Sequence, residues 1–278
     1  MRDSSHLPIP HSQSSISNLQ SPISNLKLSI LNPQSSIVLA SASPRRRELL
    51  ALLGVTFQVC PADVDETPLP DETPLETQHR ITREKARIAR KRLEVGDCAA
   101  QVERLPISRA ILNPQSPVSD PIIIACDTTV LLDGEMLNKP ADADEARTML
   151  RRLRGRAHEV QSAIVVRQGD QERMNIVSSQ VTMRDYSLDE IEAYIATGDP
   201  FDKAGGYAAQ HPSFQPIAQI RGCPLNVVGL ALCHLRMLLP HLPDPAPVCV
   251  AFTGAPCPRV LDDPHHVVTR LTSPRGSA

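Results

Sequence analysis

The sequence contains no tryptophan, and only four phenylalanines and three tyrosines among its 278 residues. Its core must therefore be aliphatic, and there is little material for the aromatic platforms that stack single-stranded bases. A dominant charge is missing too. Lys and Arg number 29 against 31 Asp and Glu, a formal net charge of −2, so no global basic field points to DNA or RNA as a partner. No apolar run approaches the ~18 residues of a membrane span. The N-terminus is rich in Ser, Asn, Gln and Pro, without the apolar centre of a signal peptide. The seven cysteines are odd in number and form no C-x-x-C pair, so neither a disulfide framework nor a zinc site is expected, and a reducing cytoplasm is the default. His265-His266 has no third ligand nearby and is read as an accident of the tail.

What is present divides unevenly. Residues 1–35 form a low-complexity tail that cannot bury enough apolar surface to offset its ordering entropy. Ile30-Leu31-Asn32-Pro33-Gln34-Ser35 recurs as Ile111-Leu112-Asn113-Pro114-Gln115-Ser116. The second copy is read as part of a surface insertion over 97–120, and two irregular copies do not make a solenoid. A Pro-rich, loose tail is expected over 241–278. The domain between, 36–240, alternates strands and helices. Strands are expected at 37–40, 56–59 and 121–132, and two longer ones near 157–167 and 173–185. The run Ile122-Ile123-Ile124-Ala125-Cys126 implies burial on both faces. Helices are expected over 44–53, 76–93, 142–153 and 225–239, with another opened by the capping box Ser187-Leu188-Asp189-Glu190.

The most informative stretch is Ser41-Ala42-Ser43-Pro44-Arg45-Arg46-Arg47, directly behind the apolar run Ile37-Val38-Leu39-Ala40. Pro44 suits the first position of a helix, Ser43 its N-cap, and Gly54 its end. Free backbone N–H groups, the positive end of the helix dipole and three arginines meet there, which suits a polyanion. Carboxylates and lysines come after it in scattered blocks. Asp127 is read at the end of the Ile-rich strand, where open α/β sheets place their chemistry. Glu66 lies in Asp63-Val64-Asp65-Glu66-Thr67, and Lys85 in Arg83-Glu84-Lys85-Ala86. Lys139 lies in Leu137-Asn138-Lys139-Pro140, and Lys203 in the glycine-bearing loop that runs from Asp199 to Gln210. A phosphate-ester reaction needs this inventory: cations against the triphosphate, carboxylates to hold a divalent metal and take a proton from water, glycines for close backbone approach. Each piece has an ordinary alternative. A strand-end Asp can be a turn former, a helical Lys is usually solvated, Asp202 can cap the next helical turn, and His158 is more often a half-buried strand histidine than a catalyst.

Taken together and in order, these blocks resemble the Maf family of nucleoside triphosphate pyrophosphatases, also called septum formation inhibitors. They are Ser41-Ala42-Ser43-Pro44-Arg45-Arg46, Val64-Asp65-Glu66, Arg83-Glu84-Lys85-Ala86, Ala125-Cys126-Asp127-Thr128, Asn138-Lys139-Pro140, Gly155-Arg156-Ala157-His158-Glu159-Val160 and Asp202-Lys203-Ala204-Gly205-Gly206-Tyr207. The resemblance covers about residues 36–240. It implies an elongated α/β fold shared with the inosine-triphosphate pyrophosphatases, in which a mixed sheet is flanked by helices and a cleft parts two lobes. It also implies cleavage between the α and β phosphates with Mg²⁺ or Mn²⁺, and a homodimer. The family's proton acceptor falls on Asp127, its acidic cleft residue on Glu66, its phosphate-handling Arg on Arg46 and its lysines on Lys85, Lys139 and Lys203. Glu66 and Asp127 are expected to hold the metal, and Ser41, Ser43 and Arg45 to join the substrate contacts.

Arg45, Thr128 and Gln210 stand where the family's branches differ and resemble the branch that hydrolyses dTTP and UTP. A neutral amide both donates to and accepts from a pyrimidine edge. The alternatives are the branch acting on 7-methyl-GTP and a non-enzymatic regulator that binds nucleotides or division proteins. Two departures stand out: His211-Pro212 where the family usually has Gly after the glutamine, and Cys126 where it usually has Gly or Ala.

Overall fold

The computed structural model describes residues 36–98, 102–103, 120–253 and 267–268. The expected low-complexity tail, both copies of the repeat, most of the 97–120 insertion and His265-His266 lie outside the described residues.

In chain order the elements are β1 (Ile37–Leu39), α1 (Pro44–Leu52), β2 (Phe57–Val59), α2 (Pro74–Glu94), β3 (Val102–Glu103), β4 (Ile122–Leu132), β5 (Glu135–Leu137), α3 (Ala143–Leu153), β6 (Ala157–Gln168), β7 (Gln171–Met183), α4 (Leu188–Ile195), β8 (Ile217–Arg221), α5 (Pro224–Val228), α6 (Leu232–Leu238), α7 (Ala246–Thr253) and β9 (Val267–Val268). They build one mixed sheet in the order β3-β2-β1-β4-β6-β7-β8-β9, with β5 on the far half of β4. β1 pairs in parallel with β2 and β4, and the other pairings are antiparallel. The expected α/β class and mixed sheet flanked by helices are present.

Side-chain alternation explains the layers. Leu39, Ile122, Ile124 and Cys126 face a large aliphatic cluster with Leu49 and Leu50 of α1 and the C-terminal helices. Val38, Ala40, Ile123 and Ala125 face the other way, onto Ala86 and Ala89 of α2. This two-sided burial is what the unbroken Ile-rich run requires. A second cluster packs α3 and α4 on the far halves of β4, β6 and β7. All three tyrosines and Phe214 gather there: Tyr194 stacks on Phe214 at 4.4 Å and Tyr186 leans on Phe214 at 4.9 Å.

Several local expectations are corrected. Asp127 does not end a strand. β4 runs on to Leu132 because β6 keeps pairing with it, Asp127 opposite Ala163. What ends is the parallel partner: β1 pairs only as far as Leu39 opposite Ile124, then turns into α1. Asp127 therefore stands at the mouth opened where one neighbour leaves. Ser43 occupies the N-cap of α1, but its side chain makes no cap bond there. Instead its N–H donates to Ser41 Oγ at 3.2 Å. The helix expected over 225–239 is two helices. Gly229, at φ 130°, ends α5, and α6 begins at Leu232. Beyond residue 240, where composition reads as a loose tail, α7 buries Val248, Cys249 and Phe252 in the α1-side cluster. Three apolar residues on one short helix suffice for docking, which proline counts do not reveal. Finally, Cys60 and Cys98 form a disulfide with Cα atoms 5.1 Å apart, contrary to the expectation of none. Parity and C-x-x-C spacing are blind to a bridge between partners 38 residues apart. Cys126 is a buried free thiol.

Candidate active site

Every site residue expected from the sequence lines one cleft of about 940 Å³: Ser41, Ser43, Arg45, Arg46, Glu66, Lys85, Asp127, Thr128, Lys139, Lys203 and Gln210. They arrive on separate elements. The β1–α1 junction brings the serines and arginines, the loop after β2 brings Glu66, α2 brings Lys85 and β4 brings Asp127 and Thr128. The turn after β5 brings Lys139, and the loop after α4 brings Lys203 and Gln210.

At the centre Lys85 sits between two carboxylates. Its Nζ donates to Asp127 Oδ1 at 2.7 Å and to Glu66 Oε1 at 2.7 Å. Lys85 is 8 % exposed, so this is no solvated helical lysine. α2 places it by its length: with the capping box of Thr73 and Glu76 fixing its start, Lys85 emerges on the buried stripe beneath β4. Lys139 reaches the other oxygen of Glu66 at 3.5 Å. Burial alone would raise the Glu66 carboxyl, but Lys85 and then Lys139 hold it below the usual carboxylate range.

Arg46 shows how the strand–helix junction works. Its Nε donates to the Gly229 carbonyl at 3.0 Å, one Nη to Ser41 Oγ at 3.2 Å and the other to Thr128 Oγ1 at 3.0 Å. Three of five N–H groups are used, and two are left for a ligand. Gly229 thus links the break between the C-terminal helices to the arginine. Thr128 also shares a bond of 2.8 Å with Ser162 Oγ, so its hydroxyl is held from two sides.

Lys203 differs from the lysine expected. Its Nζ donates to the Asp199 carbonyl at 2.6 Å, to Asp199 Oδ1 at 2.8 Å and to Asp202 Oδ1 at 2.5 Å, which commits all three protons. Arg45 lies 3.7 Å from the other oxygen of Asp202. Asp202 is therefore an ion-pair partner rather than a helix cap. Burial works against the charge on Asp199, yet bonds from Lys203 and Tyr194 hold its carboxyl below the usual range.

His158 is not in the cleft lining. It is 5 % exposed and shares a bond of 2.7 Å with the Tyr207 hydroxyl. Burial pushes its imidazole down to about 4 from 6.5. The unfolded chain thus binds a proton below pH 6.5 that the folded chain refuses. This histidine should cost roughly 3 kcal/mol of stability as pH falls from 6.5 to 4. Unfolding midpoints in urea across that window check it: His158→Gln is expected to flatten the slope that the unaltered protein shows.

Gln78, Ser162 and Asp199 belong to the network and have no motif of their own. Asp199 had a signal, its i, i+4 spacing from Lys203. Gln78 has no such signal: it is one of several polar residues on the buried stripe of α2, with Thr77, Thr82 and Lys85.

Among the described residues no three His, Cys, Asp or Glu side chains gather as a metal cluster. Glu66 and Asp127 nevertheless suit a hard cation. Both are oxygen donors, both lie within 2.7 Å of one ammonium and so face a common point, and magnesium is commonly held by one or two carboxylates plus substrate phosphates.

Residues 36–242 match the family described as Maf-like protein. The chain is 42 % identical over 199 residues to a dTTP/UTP pyrophosphatase of Thermomicrobium roseum, covering 71 % of this chain and 79 % of that protein. It is 40 % identical over 215 residues to a dTTP/UTP pyrophosphatase of Anaeromyxobacter dehalogenans, 76 % of this chain and 96 % of the other. A third, from Methylococcus capsulatus, also a dTTP/UTP pyrophosphatase, is 38 % identical over 207 residues, 74 % of this chain and 90 % of that one. With the family matched over most of its length, the chain belongs to the Maf family.

Proposed function

We propose that the protein hydrolyses dTTP and UTP between the α and β phosphates, releasing the nucleoside monophosphate and pyrophosphate. One observation carries the reading: Lys85, buried, holds Asp127 and Glu66 together in a cleft whose rim supplies Arg46 and Lys139. A nucleotide-binding regulator needs the cations but not two carboxylates turned to the same point.

Asp127 is the proposed base. One of its oxygens is fixed by Lys85, which leaves the other to take a proton from water as the water oxygen bonds to the α-phosphorus. The bond to the bridging oxygen breaks, and the pyrophosphate leaves with that oxygen. Arg46, Lys85 and Lys139 offset its growing charge. Lys203 reaches a phosphate only by giving up a bond to Asp199 or Asp202, so it acts once substrate is in place; Arg45, 3.7 Å from Asp202, can turn its N–H groups to the phosphate directly. Glu66 and Asp127 would hold Mg²⁺ or Mn²⁺, which supplies Lewis acidity at the phosphate oxygens. Ser41 and Ser43 offer hydroxyl and backbone contacts at the N-terminus of α1. Gln210 is the base-edge amide, with Arg45 and Thr128 of the same cleft as the further specificity positions. Thr128 acts through the Arg46 it anchors.

The substrate places the enzyme with the cytoplasmic nucleotide pool. There the Cys60 and Cys98 thiols, rather than their bridge, are the form expected to work. Among the described residues no helix is long and apolar enough to cross a membrane. A homodimer is proposed from family membership alone.

Pyrophosphate release with magnesium or manganese from dTTP, UTP, CTP, GTP and 7-methyl-GTP tests the reading. Turnover of dTTP and UTP well above the others is expected. Turnover of 7-methyl-GTP alone would keep the chemistry and reject the assignment of Arg45, Thr128 and Gln210.

A further inference from the structure

Gln78 lies seven residues, two helical turns, before Lys85 on the same buried stripe of α2, and both end on Asp127. Lys85 holds the carboxylate. Gln78 Nε2 donates toward the main-chain carbonyl of Asp127 at 3.3 Å, toward the Gln161 carbonyl at 2.8 Å and toward Thr129 Oγ1 at 3.1 Å. Two of these partners are carbonyl oxygens, which only accept. The nitrogen side of the amide therefore faces them, and its orientation is settled by chemistry. Gln161 stands opposite Thr129 on β6, so one amide ties the helix to both strands just beyond the point where β1 stops pairing and Asp127 is left open.

Gln78 is fully buried, and its Oε1 has no partner. An unpaired buried oxygen costs stability. An apolar side chain of the same shape would pack α2 on the sheet without that cost, but would leave the carbonyls of Asp127 and Gln161 without this donor. Packing alone therefore does not explain a glutamine at this position, whereas the need to fix the Asp127 peptide does. Thr82 strengthens the arrangement by donating its hydroxyl to the Gln78 carbonyl at 2.7 Å.

We propose that Gln78 is a positioning residue for the reaction, gripping the backbone of Asp127 while Lys85 grips its carboxylate. The inference rests on reading Asp127 as the base. With the backbone grip released, the carboxylate is free to pivot about Lys85. Misplacement by about 1 Å at a reacting centre can cost on the order of 10²-fold in rate.

Gln78→Met keeps the volume and removes the donor. It is expected to lower kcat for dTTP by about tenfold or more with KM within about twofold, while the thermal midpoint falls by no more than a few degrees, the released carbonyls losing a donor as the unpaired Oε1 is removed. Wild-type kcat in the folded variant overturns the proposal. So does a fall in kcat matched by a comparable rise in KM and a midpoint lowered further than that, which marks general loosening. If Gln78→Met does not fold, Gln78→Glu decides: it keeps the shape but cannot donate to two carbonyls, so its kcat should fall, and a wild-type kcat overturns the proposal. Asp127→Asn is measured alongside. An active Asp127→Asn removes the reading of the base itself, whereas an inactive one beside a fully active Gln78→Met removes only the positioning role.

Discussion

Asp127→Asn is expected to lower kcat for dTTP by about 10³-fold while nucleotide binding persists. The amide oxygen of asparagine still accepts from Lys85 and fills the same space between β1 and β6, so the fold has little reason to change. What it cannot do is take the water proton or carry a negative charge toward a cation. Removing a negative charge from a cleft that must receive a polyanion also leaves KM unchanged or lower. Titration calorimetry with a non-hydrolysable dTTP analogue checks binding, and pyrophosphate release checks turnover. Loss of both together would mean that Asp127 supports the cleft rather than the reaction.

Lys85→Met should cost about 10²-fold or more in kcat/KM, and it differs in kind because it acts on both carboxylates. Asp127 Oδ1 and Glu66 Oε1 each lie 2.7 Å from Nζ, so without the ammonium they face each other with no cation between. Burial then acts on Glu66 with only Lys139 to oppose it, and its carboxyl titrates higher than in the unaltered protein. Stability should fall at neutral pH and recover in part as pH is lowered, since protonation removes the repulsion. The Lys85 side chain is 10 % exposed and that of Asp127 14 %, but that of Glu66 is 44 %, so the loss is expected near the low end for a broken buried pair, about 2 kcal/mol. Chemical unfolding of Lys85→Met at neutral and mildly acidic pH reads this directly. Equal destabilisation at both would show that lost packing, not charge, is what the lysine supplied.

Much of this was legible before the fold was known, because the decisive signals are local. Ser43-Pro44 fixes where α1 starts, Asp133-Gly134 fixes the β4–β5 turn, and Ser187 with Glu190 fixes the start of α4. The candidate residues also came together in one cleft, since each belongs to a block whose spacing carries chemistry. What escaped was non-local. Nothing in β4 itself reveals that β1 stops pairing at Leu39 and so leaves Asp127 mid-strand but open. The Cys60–Cys98 bridge and the grip of Gln78 on two strands join positions far apart in sequence. Lys203 reads as a phosphate ligand by motif, while its protons are already given to Asp199 and Asp202. The break at Gly229 was hidden because apolar residues continue on both sides of it.

The most direct test of the central claim is hydrolysis of dTTP in ¹⁸O-labelled water, with the products separated and weighed by mass spectrometry. If Asp127 directs water to the α-phosphorus, the products are dTMP carrying the label and unlabelled pyrophosphate, and both form about 10³-fold more slowly with Asp127→Asn. Label in pyrophosphate or orthophosphate, or labelled dTMP formed at an undiminished rate by Asp127→Asn, would contradict it.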